Sequence, residues 1–194
     1  MHREIRAGLP MARPQGSPRA LLWALGAALA LALLVSAPSA ASAFDLGGYR
    51  ARAEATLAEL NAKRLADSNA TLARLDEMIA LGSAGVREYG ARHPQYAKLM
   101  DAVVADSQAM KGMTDVELEE KWGEAGTGGD AVGVPLKSLP EHGQERDYIE
   151  LVVGPAQQYI LVKQWQSTKK ARWLEQARDE AVELLKHLED MRGE

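Results

Sequence analysis

Between Trp173 and Met191 the apolar residues Trp173, Leu174, Ala177, Ala181, Leu184, Leu185, Leu188 and Met191 recur at steps of one, three and four. That spacing gathers side chains on one side only when the backbone turns by about 100° per residue, so the segment is committed to an α-helix with a single buried face. The same period recurs upstream. From Tyr49 to Leu81, the residues Ala53, Leu57, Leu60, Ser68, Leu72, Leu75, Met78 and Ile79 share one face; Tyr96, Leu99, Met100, Val103, Ser107 and Met110 share another. Between Glu145 and Gln166 the apolar arc is wider, running from Tyr148 and Ile149 through Leu151, Val152 and Val153 to Tyr159, Ile160, Val162 and Trp165, which predicts a central helix. The predicted fold class is all-α: an antiparallel four-helix-bundle-like domain with one extra short helix, after an N-terminal signal peptide.

The punctuation between these faces predicts the connections. The first face passes through Asp67-Ser68-Asn69, which favours one bent helix of roughly 33 residues, about 50 Å long at 1.5 Å per residue, overhanging its shorter neighbours. The same side chains can instead cap a new helix. Gly82, Gly85 and Gly90 are expected to loosen the chain before Pro94 restarts it in a helix reaching about Lys111. Thr114 and Glu117 stand at capping-box spacing, so a short helix should run to Trp122. The stretch 123–143, with Gly126-Thr-Gly-Gly129, Pro135 and Pro140, is the main irregular loop and the first choice for a mobile recognition segment. Gly154-Pro155 should kink or break the central helix, because proline lacks an N–H and crowds the preceding turn.

Ahead of these helices lies a leader. Arg13 and Arg19 precede the sixteen apolar residues from Ala20 to Val35, and Ala41-Ser42-Ala43 forms a small-residue exit, the order of a secretory signal. Residues 1–43 are therefore predicted to direct export, with cleavage between Ala43 and Phe44 leaving a single domain, 44–194, in the periplasm or outside the cell. Left uncleaved, the apolar run nears the ~20 residues that span a bilayer and would hold the domain on the same side. Membrane contact is expected through this segment alone.

The chain has no Cys, which excludes thiol catalysis, thiolate metal sites and covalent haem attachment. It carries 23 basic and 27 acidic residues; removing a leader with four arginines and one Glu leaves 19 against 26, a net charge of −7. That sign argues against nucleic acid as a partner. The loop glycines lack the Gly-Lys-Ser/Thr ending of a phosphate-binding loop, and no serine stands in a nucleophile motif, so no catalytic residues are assigned and no enzyme is expected.

Weaker patterns nominate binding residues. His187 follows Glu183 by four positions, placing both on one flank of the last helix, where they can share a divalent ion with each other or with His142 from the loop. Met100, Met110 and Met113 are the remaining soft ligands for copper, although two of them already lie on an inward face. A haem site would need an axial Met in residues 44–60 to match His187, and there is none. Trp122 sits within an acidic run, Trp165 and Trp173 flank the last turn among Lys169, Lys170 and Arg172, and Tyr148 and Tyr159 bracket Gly154-Pro155, where a freed carbonyl and space are expected. The functional expectation is an exported, non-enzymatic bundle acting as an interaction, sensory or accessory module on a protein partner or small ligand. The alternative is a small-ligand or metal-binding protein for copper, zinc or haem; no resident cofactor is assigned.

Overall fold

The computed structural model describes residues 44–62, 65–140 and 143–192. The leader 1–43, including Ala43, lies outside the described residues, as does His142. The rest is helical: α1 (Leu46–Asn61), α2 (Ser68–Arg92), α3 (Ala97–Met110), α4 (Asp115–Trp122), 3-10 turns at Asp130–Val132 and Leu136–Ser138, α5 (Gln144–Thr168) and α6 (Arg172–Asp190). The described residues contain no strand and no helix long and apolar enough to cross a membrane.

The expected long first helix is two helices. Asp67 adopts an extended backbone with φ −137°, and its carboxylate accepts the amides of Asn69 at 3.0 Å and Ala70 at 3.1 Å. A carboxylate that satisfies the first free amides starts a helix rather than continuing one. The apolar face ran unbroken through this point because both helices bury the same side: Leu60 on α1, and Leu72 and Leu75 on α2, are all in the core.

The glycines expected to loosen the chain lie inside α2, which continues to Arg92. They are contact points. A Cβ at Gly82 would overlap the Leu151 carbonyl of α5, one at Gly85 would stand 3.0 Å from the Phe44 ring, and one at Gly90 would stand 3.0 Å from Met100 Cβ. Close approach of neighbouring groups outweighs the helix-propensity cost of about 1 kcal/mol per glycine. Farther on, Pro94 belongs to a turn closed by Tyr96 N–H to His93 C=O at 2.9 Å, so α3 begins only at Ala97. The Thr114–Glu117 capping box forms as its spacing predicts.

Pro155 does not break α5, which runs through it for 25 residues. Proline removes the N–H that would bond to Leu151, leaving that carbonyl without its helical donor. The fully buried Tyr49 of α1 supplies the replacement: its hydroxyl donates to Leu151 C=O at 2.7 Å. Gly82 lets α2 approach at the same point. Three helices thus meet at one substituted hydrogen bond.

As expected, α5 is central, packing against α2, α3, α4 and α6. One apolar cluster joins α2, α3, α4 and the loop to α5 through Leu99, Met100, Leu118, Trp122, Leu136 and Val152. A second joins α1, α2 and α6 to α5 through Tyr49, Leu75, Leu151, Leu161 and Leu184. In α6 the residues Leu174, Ala177, Ala181, Leu184 and Leu188 are buried, as the periodicity required.

Candidate functional site

The irregular stretch after α4 is anchored, contrary to its expected role as a free recognition segment. Leu136 and Leu139 insert into the core. Arg146, in the first turn of α5, reaches back across the loop. Its Nε donates to Pro140 C=O at 3.0 Å, its Nη2 to Leu136 and Leu139 C=O at 2.9 and 3.3 Å, and its Nη1 to Glu124 C=O at 3.4 Å. One guanidinium therefore supplies donors to four loop carbonyls that would otherwise rely on solvent.

The anchored loop completes a cleft. Trp122, Glu124, Leu136, Arg146, Ile149, Glu150, Glu183 and His187 enclose about 320 Å³ between the end of α4, the loop, α5 and α6. Trp122 is buried and held by its indole N–H, which donates to Asp106 Oδ2 at 2.7 Å. His187 Nδ1 lies 2.7 Å from Asp147 Oδ1, and this bond chiefly raises the imidazole pKa against the opposing effect of burial. The carboxylate thus orients the ring.

Acidic groups dominate the remainder. Burial pushes the half-buried Glu150 from its ordinary 4.5 up to about 7, with His187 opposing the rise. Glu180, on α6 just before Glu183, is likewise pushed up to about 7, first by burial and then by Glu150. Desolvation dominates at both acids, and the charge of Glu150 adds to it at Glu180.

Trp122 and the Glu183–His187 pair, singled out in the sequence for different reasons, therefore share one cleft. The other candidates lie elsewhere. Met100 and Met110 are fully enclosed in the core, and Met113 packs at its margin. Among the described residues no group of three or more His, Asp or Glu side chains is arranged to hold a metal ion. At the last turn, Lys169 lies over the Trp165 ring at 4.3 Å and Arg172 over Trp173 at 4.1 Å, so each indole carries a cation from its own hairpin. Tyr159 lies beneath Lys111, 5.7 Å from its ammonium. Tyr148 belongs to a ring stack in which Tyr89 lies 4.4 Å from Tyr148 and 4.1 Å from His93. The stack is closed by Arg92 donating to the Tyr148 hydroxyl at 3.0 Å and by the Tyr89 hydroxyl donating to the buried Glu145 at 3.3 Å.

Sequence reasoning looked to Tyr148 and Tyr159 for the phenol at the proline interruption, and the structure places Tyr49 there. The missed signal was that a buried helical proline needs a donor for the carbonyl four residues back, and Tyr49 stands on an inward face. Arg146, Asp147, Glu150 and Glu180 were also missed, since nothing local in sequence distinguishes them from solvated charges. No family model, curated protein or solved structure matches the chain.

Proposed function

We propose that the chain is an exported, non-enzymatic helical-bundle module that captures a small organic cation in the cleft between α4, α5 and α6. The observation that carries this reading is the composition of the cleft: apolar walls from Trp122, Leu136 and Ile149, and carboxylates from Glu124, Glu150 and Glu183. Its volume of about 320 Å³ is at the lower end of the roughly 300–1,000 Å³ typical of small-molecule sites. The two basic groups are already engaged, Arg146 with loop carbonyls and His187 with Asp147; Glu183 also pairs with Lys186 at 2.6 Å through one oxygen, which leaves Glu150 as the main charge facing the ligand. A ligand with an apolar body and an ammonium group satisfies both kinds of surface.

Binding such a ligand favours the ionised form of Glu150, so capture releases protons and strengthens as pH rises through about 7. Calorimetry with phenethylammonium, the matching neutral alcohol and phenylacetate tests the reading. Saturable binding of the ammonium alone, lost in Glu150→Gln/Glu183→Gln, supports it; equal binding of all three or of none refutes it. Glu150 and His187, which line the same cleft, favour one second reading, general acid–base catalysis there, and turnover lost in Glu150→Gln would support it.

A further inference from the structure

The strongest unassigned feature lies away from the cleft, at the first described residue. Phe44 N–H donates to Glu88 Oε2 at 2.7 Å, linking the entry to α1 with a side chain of α2. The Phe44 ring lies over Gly85, whose missing Cβ would stand 3.0–3.1 Å from three ring carbons, and meets Tyr49 edge-on at 5.7 Å. The other carboxylate oxygen of Glu88 faces Arg92 Nη2 at 3.7 Å, leaving Oε2 directed at the Phe44 nitrogen. Ring, slot and acceptor are thus all built around the residue that follows the Ala-Ser-Ala exit.

We infer that this slot is a receptor for the processed amino terminus: cleavage between Ala43 and Phe44 frees an α-ammonium that forms an ion pair with Glu88. The inference rests on the leader reading within the proposed function. Hydrolysis of the Ala43–Phe44 peptide bond consumes one water and yields an Ala43 carboxylate and a Phe44 ammonium. What was a neutral amide donor becomes a charged one, and charge-assisted hydrogen bonds of about 2.7–2.9 Å are roughly twice as strong as neutral ones. Cleavage precedes folding, because the peptidase needs Phe44 extended whereas in the fold its nitrogen is bonded to Glu88 and its ring is packed over Gly85. A processed chain therefore folds onto its own new terminus, and an unprocessed or misprocessed chain lacks that charge.

The full precursor is expressed in a secreting host in four forms: wild type, Glu88→Gln, an insertion of Ser-Gln between Ala43 and Phe44, and the two combined. Intact mass should show wild type beginning at Phe44 and the insertion form beginning at the added Ser. Glu88→Gln should lower Tm by about 2–4 °C in wild type and by less than half of that in the insertion form, where Phe44 keeps an amide. In wild type the terminal amine should be acylated several-fold more slowly at neutral pH than in the insertion form, a comparison that needs no Glu88 variant. Leader-bearing protein retained inside the cell overturns the export reading. Correct processing with equal Glu88→Gln losses in both backgrounds, or with equal acylation rates, overturns the receptor alone.

Discussion

Tyr49→Phe isolates one hydrogen bond with little change in shape. The ring remains, so no cavity opens; what disappears is the hydroxyl 2.7 Å from Leu151 C=O. That carbonyl lies where Gly82 brings α2 against α5 and where Pro155 has no N–H to offer, so no local donor replaces the phenol. Leaving a buried acceptor unsatisfied costs about 1–3 kcal/mol. For a domain of about 150 residues, 2 kcal/mol corresponds to a fall in Tm of about 4–8 °C. Burial raises the Tyr49 pKa well above the ordinary phenol value, so the donor stays protonated across the neutral and mildly alkaline range and the loss should not vary with pH there. Pro155→Ala restores an N–H four residues after Leu151, and in that background Tyr49→Phe should cost about 0.5 kcal/mol or less, a coupling of about 1–2 kcal/mol. Urea unfolding of all four forms, followed by circular dichroism, measures the cycle. A Tyr49→Phe loss below about 0.5 kcal/mol in wild type, or one that Pro155→Ala leaves unchanged, would refute the substitution of phenol for amide.

Gly82→Ala should destabilise by at least about 2 kcal/mol although alanine is the better helix former, because the added methyl meets backbone rather than a movable side chain; unchanged stability would mean that α2 and α5 separate easily. Glu150 is pushed up to about 7 in the folded chain, so between pH 4.5 and 7 the unfolded chain loses its proton first and stability falls as pH rises. Glu150→Gln should flatten that slope and stabilise the protein by about 1–3 kcal/mol at pH 8, as read from urea midpoints across pH. The His187–Asp147 pair acts in the same direction, contributing fully below pH 6.5 and fading as pH rises through the raised imidazole pKa, and so does Glu180, pushed up to about 7; the residual slope should therefore disappear only in Glu150→Gln/Glu180→Gln/His187→Gln. Arg146→Ala should leave the helices folded but expose the amides of 123–140 to faster hydrogen exchange by mass spectrometry; unchanged exchange there would show that Leu136 and Leu139 hold the loop without the guanidinium.

The buried face of α6, the central place of α5 and the Thr114–Glu117 cap were legible in sequence because they depend on residues within a turn or two of one another. A spacing of three and four fixes which side is buried whatever lies opposite. Sequence pattern failed where the deciding partner is remote. Whether Gly82 weakens a helix or admits a neighbour was settled by what packs there, since Leu151 lies 69 residues from Gly82, whereas at Asp67 the two local readings were equally open to the pattern. The cleft is the extreme case. Trp122, Glu150 and His187 come from three helices, and the pKa of Glu150 depends on burial and distances that no local pattern encodes. Local periodicity determined the elements and their inward faces, while close approach, satisfaction of the Leu151 carbonyl and the gathering of acids in the cleft belong to tertiary structure, because desolvation and Coulomb interaction depend on distance through space rather than along the chain.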